Sequence, residues 1–117
     1  MIQNIESITI GIAVEDVNEA VGWYKTLLGE VETIEPAPGT IELQLTENIW
    51  LQLDDTGYLK VGGGIIRLET NDINSIHKKV KTLVSNVGEI VSVEGVIQYF
   101  DFQDPAGNKL SYYQVWP

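Results

Sequence analysis

Ile8, Ile10, Ile12 and Val14 alternate with Thr9, Gly11 and Ala13. That period of two predicts a strand with one apolar row and one row of small side chains. The period then changes. Val17, Ala20, Tyr24, Leu27 and Leu28 recur at helical spacing, with Asp16 at the N-cap position, Glu19 three residues on and Gly29 at the end. Strand-like stretches follow at about 30–35, 40–46 and 49–54, separated by "EPAPG" and "EN". The same succession then returns. A strand at 65–70 precedes a helix carrying Ile73, Ile76, Val80, Leu83 and Val84, and strands follow at about 88–94, 96–103 and 109–116. "EG" and "DPAGN" separate these last three. His77, the sole histidine, sits on the second helix beside Lys78, Lys79 and Lys81, which predicts a solvated position.

The return is a repeat. Shifted by 56 residues, Asp16 falls on Asp72, Asn18 on Asn74, and Lys25-Thr26-Leu27 on Lys81-Thr82-Leu83. Two copies at that period are too few and too long for most solenoids. The expected architecture is α+β: one domain over 1–117 made of two βαβββ modules related by a pseudo-two-fold. Module one spans 1–56, the joint "DTGYLKVGGG" 55–64, and module two 63–117.

Alternation also assigns strand faces. Ile41, Leu43, Leu45, Ile49, Leu51, Leu53, Ile66, Leu68, Phe100, Phe102, Leu110 and Tyr112 face the helices. The opposite face receives Thr9, Glu42, Gln44, Trp50, Gln52, Asp54, Ile65, Arg67, Glu69, Ile97, Tyr99, Asp101, Gln103, Ser111, Tyr113 and Val115. Large aromatics such as Trp50, Tyr99 and Tyr113 are out of place on an open solvated face. They suit a concave site that encloses a ligand.

Composition narrows the chemistry. The 117 residues include 17 acidic and 7 basic ones, a formal charge of −10. Such a field repels phosphate backbones and excludes nucleic acid as an expected partner, while favouring cationic small molecules. There is no cysteine, hence no disulfide, thiolate metal site or cysteine nucleophile. No apolar run resembles a signal peptide or a membrane span, so a cytoplasmic protein without a membrane partner is expected. "VGGGI" precedes a strand rather than a helix and is a joint, not a phosphate loop. With the lone histidine on a helix, no Ser-His nucleophile is evident.

"GIAVEDVNEAVGWYKTLLG" and "FQDPAGNKL", together with the paired modules, resemble the vicinal oxygen chelate superfamily. That group includes glyoxalases, extradiol dioxygenases and the fosfomycin and bleomycin resistance proteins. The resemblance implies a U-shaped mixed sheet around a cleft, closed within one chain or across a homodimer, and the apolar "YYQVWP" end suits such a dimer. It also implies metal-ligand positions, which fall here on Thr9, Ile65, Ser111 and either Leu51 or Gln52. None is His, Asp or Glu, so neither the usual metal nor another cofactor is expected. The reading is a protein that binds a small cationic or aromatic organic molecule, without catalysis. Thr9, Trp50, Gln52, Arg67, Glu69, Tyr99, Asp101, Ser111 and Tyr113 are its candidate ligand-binding residues. The alternative is a lyase, isomerase or dioxygenase using a relocated metal drawn from Glu42, Glu69 and Asp101, or Glu69 or Asp101 as a carboxylate base.

Overall fold

The structure, a computed structural model, describes residues 4–117. It forms two compact units that divide between Val61 and Gly62. The first unit contains β1 (Ile8–Ala13), α1 (Val17–Leu28), β2 (Thr33–Ala37), β3 (Thr40–Thr46) and β4 (Ile49–Asp54). The second contains β5 (Ile65–Glu69), α2 (Ile73–Leu83), β6 (Val91–Val93), β7 (Ile97–Gln103) and β8 (Lys109–Val115). Each is a βαβββ module with a four-stranded mixed sheet, ordered β1-β4-β3-β2 and β5-β8-β7-β6. In both, the first and last strands run parallel and the others antiparallel. The architecture is α+β. Among the described residues, no helix is long and apolar enough to cross a membrane.

The helix starts follow from the repeated aspartates. Asp16 accepts from the amides of Asn18 and Glu19, and Asp72 accepts from the amide of Ser75. Both satisfy donors that the first turn would otherwise leave unpaired. One contact is less local: the Val17 amide donates to Asp55 Oδ2 at 2.8 Å, tying the start of α1 to the end of β4. α1 covers β3 and β4, burying Val17, Tyr24 and Leu27 against Leu43, Leu51 and Leu53. α2 covers β7 and β8, burying Ile73 and Val80 near Phe100, Phe102, Leu110 and Tyr112. The rings of Phe100, Phe102 and Tyr112 stack at centroid distances of 5.8 to 5.9 Å.

Three expectations change. The strand expected at 30–35 runs instead over Thr33–Ala37, through Pro36. Proline is tolerated there because β2 is an edge strand, and the pairing register shifts between Ile34 and Ala37. In the second module, β6 shortens to three residues.

The third correction is His77, which is not solvated but only 7% exposed. It lies on the same stripe as Ile73 and Val80. Its Nε2 stands 2.9 Å from the Gly88 carbonyl, and its ring meets Phe100 edge-on at 4.6 Å. A carbonyl can only accept, so Nε2 carries the proton. The Gly88 amide in turn donates to the Asp101 carbonyl at 2.9 Å. A Cβ at Gly88 would stand 3.1 Å from that same oxygen, which explains the glycine. His77 thereby fastens the segment after α2 along the edge of β7.

Candidate functional site

The β7–β8 hairpin sets the register of module two. Asp104 Oδ1 accepts from the Ala106 and Asn108 amides, Asn108 Nδ2 donates to Asp104 Oδ2, and Gly107 adopts φ 94°. A β-carbon would be strained at that φ, and glycine is not. The turn brings Asp101 opposite Ser111 and Tyr99 opposite Tyr113. Parallel pairing with β5 adds Arg67 beside Ser111 and Glu69 beside Tyr113.

The strand face turned away from α2 is therefore a grid of rows. Val93, Ile97 and Val115 form an apolar end. Next come Val91, Tyr99, Tyr113 and Glu69, then Asp101, Ser111 and Arg67, and finally Gln103, Lys109 and Ile65.

The Arg67–Ser111–Asp101 row is the chemically distinctive one. Ser111 is fully buried, and its Oγ accepts from Arg67 Nη1 at 3.2 Å. The same nitrogen lies 3.8 Å from Asp101 Oδ1, a loose and half-exposed ion pair of small energetic weight. The guanidinium carbon stands 5.8 Å from the centroid of the Tyr99 ring, within cation–π range. Glu69 and Asp101 are both exposed, on strands separated by β8.

Module one has the equivalent grid, with different occupants. Its rows are Thr9, Trp50 and Gln44, then Gly11, Gln52 and Glu42, then Ala13, Asp54 and Thr40. Gln52 Nε2 donates to Glu42 Oε2 at 2.9 Å. Asp54 is buried, and three hydrogen bonds hold its carboxylate. The Thr56 hydroxyl donates at 2.6 Å, the Thr56 amide at 2.9 Å and the Thr40 hydroxyl at 3.2 Å. The Thr56 hydroxyl, followed by the Thr56 amide, lowers the Asp54 pKa below its ordinary 3.8, against the opposing effect of burial.

The register settles the choice between Leu51 and Gln52. In module two Ser111 lies two residues beyond Lys109, the partner of Ile65. In module one the residue two beyond Trp50, the partner of Thr9, is Gln52. Leu51 is buried on the helix side.

The metal-ligand positions implied by the resemblance are thus Thr9, Gln52, Ile65 and Ser111. They do not fit a divalent metal. Ile65 has no donor atom, Gln52 is engaged with Glu42, and the Ser111 oxygen is bonded to a guanidinium whose permanent charge repels a cation. Neither module groups three His, Cys, Asp or Glu side chains at ligating distance among the described residues.

The grouping of sequence-derived candidates is uneven. Arg67, Ser111, Asp101, Tyr99, Tyr113 and Glu69 share one face of module two. Thr9, Trp50 and Gln52 share one face of module one. An open depression of about 580 Å³ adjoins the first group. It is lined by Ile65, Asp101, Gln103 and Lys109 together with the loop residues Val84, Ser85 and Asn86. The face pattern had already placed Ile65, Asp101 and Gln103 together. Ser85 and Asn86 have no periodic signal that could have placed them.

No family model matches the chain, and no curated protein sequence matches it. Solved structures do. The lactoylglutathione lyase of Agrobacterium tumefaciens is 17% identical with a TM-score of 0.74, over 92% of this chain and 91% of that one. TnmS3, an antibiotic-binding protein from Streptomyces sp. CB03234, is 17% identical with a TM-score of 0.77, over 97% of each chain. A glyoxalase/bleomycin resistance protein from Catenulispora acidiphila is 20% identical with a TM-score of 0.74, over 93% of this chain and 97% of that one. The chain has the fold of these glyoxalase, bleomycin resistance and dioxygenase structures, as the sequence resemblance implies.

Proposed function

We propose that this protein binds a small aromatic organic molecule on the strand face of module two turned away from α2, without catalysis and without the metal of its fold relatives. The observation that carries the reading is the Arg67–Ser111–Asp101 row beside Tyr99 and Tyr113. It joins ring faces for stacking to polar groups for orientation, and it puts a fixed cation against Ser111, one of the positions where a metal ligand would stand. Of this group, Asp101 also lines the open depression of about 580 Å³. A net charge of −10 favours a positively charged ring system. TnmS3 is named as an antibiotic-binding protein, which agrees with this reading and does not specify the ligand here.

Catalysis by a lyase, isomerase or dioxygenase would draw on Glu69 or Asp101. Both are exposed, whereas a general base gains its strength from burial. We also propose a homodimer joined through the apolar end at Val93, Val96 and Val115, all exposed. Light scattering of the purified protein tests it, and a monomer at tens of micromolar sinks it.

The binding reading is tested by a thermal shift with proflavine, a flat aromatic cation. The expected result is a saturable rise in melting temperature that falls away in Tyr99→Ala and Tyr113→Ala. Failure of proflavine and of neutral and anionic aromatic probes alike, or an equal shift in both variants, contradicts it.

A further inference from the structure

We infer that Arg67 is the anchor for a carboxylate carried by the bound molecule, so that a fixed guanidinium takes over the recognition of ligand oxygens. This rests on the binding reading above and adds the chemistry of one end of the ligand. Arg67 is the only arginine in the sequence. Its side chain is about half exposed, at 48%, and one nitrogen is braced by the buried Ser111 hydroxyl at 3.2 Å. Tyr99 supports the guanidinium plane. The guanidinium is thus positioned through one nitrogen, while about half of the side chain remains open to solvent.

Asp101 does not fill that fork. At 3.8 Å it stands well outside the roughly 2.7–2.9 Å of a charge-assisted hydrogen bond. Five N–H donors in one plane match the paired oxygens of a carboxylate bidentately, and the acidic surroundings favour its single charge over the higher charge of a phosphate.

The arrangement belongs to one module. The position equivalent to Arg67 is Gly11, where even a Cβ would stand 2.9 Å from Leu59 Cδ1 and 3.4 Å from Gln52 Oε1. Module one has a glycine there, and any side chain would displace the Leu59 tip; module two has a cation there. The overall negative charge opposes an anionic ligand at long range, but salt screens that field beyond about 8–10 Å, whereas a contact with the guanidinium is direct. Exposed Asp101 and Glu69 flank Arg67 and suit a positive group elsewhere on the same molecule. The ligand class is therefore an aromatic carboxylate, zwitterionic where it also bears an amine.

A matched pair of probes tests the assignment: 2-naphthoate and 2-naphthamide, alike in shape and different in charge. With one arginine in the chain, ¹⁵N labelling gives a single arginine Nε–H resonance to follow. The expected result is a saturable shift of that resonance with 2-naphthoate. Arg67→Gln should weaken 2-naphthoate about tenfold to a hundredfold, the range for a charged hydrogen bond, and leave 2-naphthamide within about twofold. Arg67→Lys keeps the charge without the fork and should fall between. Asp101→Asn should tighten 2-naphthoate. The amide spectrum of each variant confirms its fold.

Equal binding of the two probes, or an arginine resonance unmoved at saturation, overturns the role of Arg67 and leaves aromatic binding standing. Proflavine binding without either naphthyl probe has the same meaning. If all three probes fail, the binding reading falls and takes this inference with it.

Discussion

Replacing His77 by alanine removes two contacts at once. The first is the bond from Nε2 to the Gly88 carbonyl, at 2.9 Å in a site only 7% exposed. Leaving that carbonyl without its donor costs about 1–3 kcal/mol. The second is the edge-on contact with Phe100 at 4.6 Å, a type of pair that contributes about 0.5–1.5 kcal/mol beyond its area. Together these predict a loss of about 2–4 kcal/mol, a large part of the roughly 5–15 kcal/mol that holds a domain folded. Urea unfolding followed by tryptophan fluorescence measures it as a lowered midpoint with an unchanged slope. His77→Phe separates the parts, because it keeps a ring against Phe100 and loses only the donor. It should lose about 1–3 kcal/mol. A His77→Ala loss below about 0.5 kcal/mol, the range of ordinary surface changes, would refute the reasoning and restore a solvated histidine.

Further predictions concern pH and packing. Burial pushes the Tyr112 phenol up to about 12 from 10.0, so folding favours its neutral form. That contribution to stability is complete below about pH 10 and is lost as pH rises through about 12. Absorbance at 295 nm should show a tyrosine ionising near pH 12, a phase absent in Tyr112→Phe. Asp54, held below 3.8, acts in the opposite sense: its contribution is present above about pH 4 and lost as pH falls below that. Asp54→Asn should flatten the acid limb of the melting temperature against pH, and an unchanged limb would count against the Thr56 contacts. Gly88→Ala should lower stability by about 1–3 kcal/mol in urea unfolding, because its Cβ would press on the Asp101 backbone. A neutral effect would mean that the segment after α2 is not held against β7.

Much of the fold was legible because its signals are local. Asp16 and Asp72 cap the helices, the alternation in β3, β4 and β7 separates core from outward positions, and Asp104, Gly107 and Asn108 build the hairpin, whereas in β1 the expected apolar row is not buried and Ile8 is exposed. His77 was misplaced because its lysine neighbours outweighed its spacing, although residues 73, 77 and 80 already describe one stripe. The edge strand β2 moved because Pro36 reads as a breaker unless the strand is known to lie at an edge.

The site was legible only in part. Parity put Tyr99, Asp101, Ser111 and Tyr113 on one face. The bond from Arg67 to Ser111 joins residues 44 apart, so it depends on parallel pairing that no local pattern specifies. The same holds for the choice of Gln52 over Leu51, which only the β1–β4 register decides.

The central claim is an organic ligand held by side chains in place of a metal. Its most direct test is the affinity for proflavine with and without EDTA, measured by fluorescence titration on protein purified without added metal. The account predicts the same Kd within about twofold, unmoved when zinc, nickel, manganese or iron(II) is supplied in excess of the chelator. Binding that vanishes with EDTA and returns with one of those metals would contradict it.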